Sequence, residues 1–598
     1  MKKVIGFYNS LEAHLLVISL AFTTLLIFVQ VVMRYVFNNS LSWSEELARY
    51  VFIWQIWLGT SVSMKGNDHI RMDMLSNKLK GRGKLVLAIV ANVILLLFCV
   101  FLVKYGFDLV MSMKARGNSS TALKIPMWIV YASLPFSQLV VGLRIIGQIV
   151  TSVKNLGGGS GESEIKEAEA VMDILVLFGT FILLVILTIP IGYAIGISTL
   201  VTLVCFTNMP LALITQNAIT GVDSFPLMAI PFFMLAGNLM STGGVARRIV
   251  DFCDTLLGWI TGGLAIVTTL ACMIFAAISG SAMATTSAIG GFMIPEMTKR
   301  GYDKAFSASL AASAGTIGVI IPPSIPFVIY AVVTNQSVSD LFIAGILPGV
   351  LMGVALIVVC VIVSKKEGYQ TTGKCPSLRD VWKSFKEAFW ALMTPVIILG
   401  GIYSGKFTPT ESAVIAVVYC VIVSVFVYKE FRLVDVYKSL YDSINVNGMT
   451  TFMVGFSMAF AAYLTMEKIP ARIAAIILGV TDNRILLLLL INLLLLGVGC
   501  LIDNIPATII LSPILLPIVT NLGMTPIQFG IMLTMNLAIG FVTPPYGIDL
   551  FVASAISKEP MSRMIKPTLR FILSLLVVLM LVTFVEPVTM GVLHLMGK

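Results

Sequence analysis

Residues 540–551 read GFVTPPYGIDLF, and residues 318–327 read GVIIPPSIPF. Each places a Pro-Pro pair inside an otherwise apolar stretch. Proline lacks a backbone donor and clashes with the preceding helical turn, so such a pair interrupts a helix. In lipid, an interruption is tolerated only where protein or a water-filled cavity satisfies the freed carbonyls. Two such breaks in one chain predict that the chain is building a site at them.

Composition gives the setting. The chain has 598 residues, 58% hydrophobic and 12% charged, with mean hydropathy +0.97. Soluble domains are about 25% charged, so this is an all-α polytopic membrane protein. The net charge of +10 comes from Lys and Arg in short loops between apolar runs, which reads as topology signalling and not as a nucleic-acid surface. The eight cysteines are scattered without a C-x-x-C and read as buried free thiols. Three isolated histidines, His14, His69 and His594, argue against a His-rich metal centre. No GxxxxGK[ST] appears, so no nucleotide site is expected. No Ser/His/Asp set, HExxH or clustered carboxylate pair lies in the spans, so the chain is not read as an enzyme. Lys2 and Lys3 precede an apolar run with no A-x-A-like site after it, which suits a first span better than a removed signal peptide.

A crossing helix needs about 20 apolar residues. Residues 1–153 offer four, near 12–33, 49–64, 86–110 and 126–152. The basic loop Lys65–Lys84 places its side, and the N-terminus, in the cytoplasm. Residues 154–171, within NLGGGSGESEIKEAEAVMD, read as a flexible linker. A large module follows over 172–598, in two parts of about 172–364 and 385–598. Each part contains an apolar pair (263–297 and 484–521) and then a broken span (305–334 and 527–556). The middles of the pairs are polar, Ser279-Gly280-Ser281 in one and Asp503-Asn504 before Pro506 in the other, which favours re-entrant hairpins over full crossings.

Spacing points to a repeat. Ser281 precedes Pro322 by 41 residues, as Asp503 precedes Pro544, and GVARRI (244–249) is matched by IPARIA (469–474). Five crossings per part would invert the second, and loop charge agrees. This is the inverted-repeat plan of secondary transporters. Span counting and loop charge disagree only on the side at which Met172 begins.

A broken helix exposes carbonyls at one half-end and N–H groups at the other, the first suited to Na+ and the second to an anion. In ISGSAMATTSAIG (278–290), Ser279 is read as a cation ligand, and Ser281, Thr285 and Thr286 as substrate contacts. GVIIPP adds carbonyls between Gly318 and Pro322. The second part offers Asp503, Asn504 and Thr508 with Gly540, Thr543 and Pro544 as cation ligands. Asp503 stands out because a carboxylate in an apolar hairpin is costly and usually functional. Glu411, three residues after Thr408, fits a capping box. Trp43, Glu45, Glu46 and Arg49 read as a membrane-interface helix start, with contact to the large module as the alternative. Between Gly262 and Glu296 there is no Lys or Arg, so a carboxylate held there must rely on N–H groups, hydroxyls and bound Na+. That suits one carboxylate with several hydroxyls better than two full charges.

These residues carry a resemblance. WSEELARYVFIWQIWLGTS with HIRMDML resembles the small membrane subunit of tripartite ATP-independent periplasmic (TRAP) transporters. FPLMAIPFFMLAGNLM, ISGSAMATTSAIG, GGIYSGKFTPTESAVIAVVY and GFVTPPYGIDLF resemble the large one. The resemblance implies a multi-pass protein of the bacterial inner membrane, surrounded by lipid. It implies import of an organic acid delivered by a periplasmic substrate-binding protein, driven by two or more Na+ ions, through an elevator movement. The fused chain is similar to the sialic-acid branch, which implies N-acetylneuraminate. C4-dicarboxylate uptake, or a Na+/anion symporter working without a binding protein, are the alternatives. The run Asp503-Asn504-Ile505-Pro506 departs from the family's plainer Asp-Pro or Asp-Thr, which bears on the second ligand set.

Overall fold

The computed structural model describes residues 2–66, 82–154, 172–207, 209–369, 375–470, 472–473, 483–544 and 547–597. The expected linker at 154–171 therefore lies outside them apart from Lys154, as do much of the basic loop and two of the six IPARIA residues. All regular elements among the described residues are helices. Nine are long and apolar enough to cross a membrane, and a tenth candidate is a pair, Pro226–Thr242 and Val245–Leu257, bent by 65°. The protein is an all-α polytopic membrane protein.

Two compact units are formed, Met1–Phe225 with Leu440–Arg472, and Pro226–Ser439 with Ile473–Lys598. In the first, helix Ser42–Gly66 is kept below the hydropathy of its neighbours by Glu45, Glu46, Arg49 and Gln55. Glu46 is buried and accepts hydrogen bonds from the backbone N–H groups of Thr121, Ala122 and Leu123, at 3.0, 3.0 and 2.7 Å, and from the Tyr50 hydroxyl. Burial works against its charge, but those bonds outweigh it and hold the carboxyl at about 2. Arg49 pairs with Asp223 at 3.2 Å. Through Arg49 the charged start of this helix makes the expected alternative contact with the large module.

The second unit holds both apolar pairs and both breaks. The first pair is Gly263–Ser279 and Ala282–Lys299; the second is Arg484–Gly499 and Asn504–Asn521. In each pair the two helices pack on each other. The first broken span is Lys304–Gly315, a 3-10 turn Thr316–Val319, and Ile325–Thr334; the second is Pro526–Gly540 and Ile548–Ser557. At 1.5 Å per residue none of these halves exceeds about 22 Å, short of a ~30 Å hydrocarbon core. Their junctions therefore belong to the interior of the span. The starts Arg484, Asn504, Pro526, Ile548 and Met561 follow Gly263, Ala282, Lys304, Ile325 and Val338 by 221 to 223 residues, so the repeat extends over five successive helices. Local signals agree with it. Asp303 and Thr525 both cap the first half of a broken span, and Thr408 with Glu411 forms the expected capping box.

Candidate cation and substrate site

In each copy the hairpin tip lies against a helix break. Gly280 ends the first arm in the left-handed region at φ 63°, which glycine enters without strain. Its carbonyl accepts from the Ile325 N–H at 3.3 Å, across the first break. A Cβ on Gly280 would sit 2.6 Å from the Pro323 oxygen, and one on Gly318 would sit 2.6 Å from the Ser281 oxygen and 2.7 Å from Thr285 Oγ1. The second tip uses the same device. A Cβ on Gly540 would lie 2.3 Å from the backbone carbonyl carbon and oxygen of Gly499. Backbone therefore approaches backbone at both junctions, where only glycine fits.

At the first tip, Ser279 ends the arm and its hydroxyl lies 2.9 Å from that of Thr285. Thr285 donates to the Ser281 carbonyl at 2.8 Å, and Ser281 caps the second arm by accepting from Ala284 N–H. Ser279, Ser281, Thr285 and Gly318 are thus brought together, a cluster of hydroxyls and a carbonyl beside a helix N-terminus. Pro322 lies in the adjoining break, joined to Pro323 by a cis peptide bond. Thr286 is not part of that cluster. It is fully buried, faces Gly315, and its hydroxyl has no partner among the described residues.

At the second tip Asp503 is the N-cap of Asn504–Asn521 and accepts from the Asn504 N–H at 2.7 Å. Thr508 donates to the Asn504 side-chain oxygen at 2.9 Å. Gly540 closes the first half of the break. Thr543, just past it, bonds back to the Ile539 carbonyl at 2.8 Å and is in hydrogen-bonding reach of the Cys500 thiol at the tip. Pro544 is half-buried next to it, while Pro545 and Tyr546 lie outside the described residues. The oxygen-only ligand set, hard and mostly neutral with one carboxylate, fits a Na+-sized cation in donor chemistry. The two copies also exchange contacts symmetrically. Ala282–Lys299 packs on Ile548–Ser557, and Asn504–Asn521 packs on Ile325–Thr334.

The sequence reading missed Asp549, although it stands in the opening stretch. It is fully buried, and neither carboxylate oxygen has a hydrogen-bond partner among the described residues. It is the only carboxylate between Pro526 and Ser557, a signal that the two prolines beside it overshadow.

This is the architecture of a membrane transport permease, with paired hairpins set on paired breaks. A family profile described as "Tripartite ATP-independent periplasmic transporter, DctM component" matches residues 178–588, and one described as "Tripartite ATP-independent periplasmic transporters, DctQ component" matches residues 23–155. The chain belongs to the TRAP transporter family, as a fused, multi-pass inner-membrane permease and not an enzyme. It is 38% identical to the isethionate TRAP transporter permease protein DctMQ of Oleidesulfovibrio alaskensis, over 92% of this chain and 88% of that one. It is 32% identical to the sialic acid TRAP transporter permease protein SiaT of Haemophilus influenzae, over 93% and 94%. To the C4-dicarboxylate TRAP transporter large permease protein DctM of Pseudomonas aeruginosa it is 41% identical, over 68% of this chain and 94% of that one.

Proposed function

We propose that this permease imports a singly charged, hydroxyl-bearing organic acid on an inward Na+ gradient, receiving it from a periplasmic substrate-binding protein. One observation carries the reading. Both hairpin tips meet helix breaks with hydroxyls and backbone groups, in stretches (263–295, 305–364 and 485–557) that contain no Lys or Arg. An anion there has no basic side chain to pair with, so its charge is met by N–H groups and by co-bound Na+. One negative charge is easier to satisfy in this way than two. At the first tip, Ser281 and Thr285 receive the acid group and Ser279 with the Gly318–Pro322 carbonyls holds Na+. At the second tip Asp503, Asn504, Thr508, Gly540, Thr543 and Pro544 form the other Na+ site, while buried Thr286 lines the first arm. Both half-sites belong to one compact unit, which suits an elevator that carries them as a body.

N-acetylneuraminate and isethionate both fit the class, one a carboxylate and the other a sulfonate. Relatives named for each align with nearly the whole chain. The deciding experiment is uptake into proteoliposomes under imposed Na+ or K+ gradients, with and without the binding protein, with unlabelled competitors. Uptake should need inward Na+ and the binding protein, and N-acetylneuraminate or isethionate should compete. Equal uptake under K+, or without the binding protein, sinks the coupling reading. Competition by succinate alone sinks the single-charge reading in favour of a dicarboxylate.

A further inference from the structure

The two copies of the repeat differ at one chemically loaded position. At the 223-residue offset of the helices Ile325–Thr334 and Ile548–Ser557, Asp549 falls opposite Pro326. The first copy instead caps its break with the Ser324 hydroxyl, which donates to the Val319 carbonyl at 2.6 Å and accepts from the Phe327 N–H. The second copy starts its second half at Gly547 with no side-chain cap, and places Asp549 one residue into the helix. Asp549 is not a substitute cap. Its backbone N–H donates to the Phe541 carbonyl, and its two side-chain oxygens are fully buried without partners among the described residues.

A buried carboxylate with neither hydrogen bond nor counter-charge is strongly disfavoured, so its surroundings decide what meets it. Asp503 is close enough to repel it, and Cys272 of the first hairpin is also within electrostatic reach. The helices packed on Ile548–Ser557 supply no cation at this depth. The helix Ala282–Lys299 has its one basic residue at its far end, and Lys304 likewise starts the helix that ends at Gly315. On Met561–Phe584, Arg563, Lys566 and Arg570 are exposed. Those same packed helices do carry unused oxygens, because Thr286 and Ser313 are fully buried with hydroxyls that have no partner among the described residues.

We infer that Asp549 is a ligand of a further monovalent-cation site, specific to the second copy. Na+ is the ion whose small size and preference for carboxylate, hydroxyl and carbonyl oxygens match this environment. The consequence for the known family activity is one more Na+ moved per substrate than the two tips account for. The inference deepens the Na+-coupled reading above and rests on it.

The test uses the full chain, with NaCl against KCl as the probe. Wild-type protein in detergent should melt at higher temperature as Na+ replaces K+. Asp549→Asn, isosteric but neutral, should melt at or above wild type in KCl, because the uncompensated charge is gone, and gain less from Na+. Its Na+ Hill coefficient for uptake should fall by about one. An Asp549→Asn protein that keeps the wild-type Na+ midpoint and Hill coefficient overturns the inference. So does one that keeps the Na+ response and loses only a pH dependence of wild-type melting in KCl, since a proton is then the counter-charge. If Asp549→Asn does not fold, Asp549→Glu decides: it should keep the Hill coefficient and shift the Na+ midpoint at least threefold, and an unshifted midpoint overturns the inference. Wild-type uptake indifferent to Na+ would instead remove the coupling reading itself.

Discussion

At the scale of single residues, Asp503 separates charge from structure. Its side chain caps the helix Asn504–Asn521 through the Asn504 N–H, and Asn caps about as well as Asp. Asp503→Asn should therefore fold and reach the membrane at wild-type level while its uptake loses steep Na+ dependence. Asp503→Ala should lose the cap as well, at a further cost of about 1 kcal/mol. Sodium titration of uptake, with membrane abundance measured in parallel, checks this. An unchanged Na+ curve in Asp503→Asn would make the residue purely a cap. Asp503 was legible in the sequence because a lone carboxylate in an apolar hairpin is expensive. Asp549 was equally expensive, but its neighbours Pro544 and Pro545 gave a sufficient reason for the stretch to be unusual. Thr286 was read as a substrate contact together with Ser281 and Thr285, yet adjacent helical residues face directions about 100° apart, and Thr286 turns to Gly315.

At the scale of elements, the hairpins and breaks were legible because proline, glycine and polar tips punctuate otherwise uniform apolar runs. What holds them together was not, since it depends on residues tens of positions apart in the sequence. The tip-to-break contact at Gly318 is one case. Its backbone φ is not left-handed, so alanine is conformationally permitted, but the added Cβ would press on Ser281 and Thr285. Gly318→Ala should raise the Na+ midpoint of uptake roughly tenfold, equivalent to ~1.4 kcal/mol, and a midpoint within twofold of wild type would detach Gly318 from the ligand cluster. A second case is a buried amide chain with no equivalent in the first copy. The Asn536 side chain donates to the Asn492 oxygen at 2.8 Å, Asn492 meets Thr583 at 3.3 Å, and Gln528 donates to the Val582 and Thr583 carbonyls. At the matching offset the first copy has Ala314 and Phe306 for Asn536 and Gln528. Asn492→Leu would leave the Asn536 amide short of a partner in an apolar setting, costing about 1–3 kcal/mol. The melting temperature in detergent should fall by several degrees, and an unchanged value would mean that the amides relax onto other partners.

At the scale of the whole molecule, the boundary between the two family segments is not the boundary between the compact units. The segment matched to the small subunit shares its unit with residues from the large one. The contacts are specific. Trp57 and Phe98 each lie 5.6 Å from Phe456, Tyr193 lies 5.3 Å from Phe452 and donates to Gln138 at 3.2 Å, and Ser63 donates to the Asn445 carbonyl at 3.1 Å. Gly59 and Gly448 bring two helices so close that a Cβ on Gly448 would lie 2.5 Å from the Gly59 backbone. Aromatic pairs of this kind contribute about 0.5–1.5 kcal/mol each beyond the area they bury. Periodicity within either segment could not have revealed them, because all but the Tyr193–Phe452 pair join residues before Lys154 to residues after Met172. They should hold the two segments together without the covalent joint. Cutting the chain between Lys154 and Met172 and co-expressing the halves should give fragments that co-purify, with uptake within about twofold of the fused protein. Gly448→Leu in the split form should abolish co-purification, since the added side chain has no room against Gly59. Halves that separate on the column despite the intact contact surface would show that the joint, and not this packing, holds the permease together.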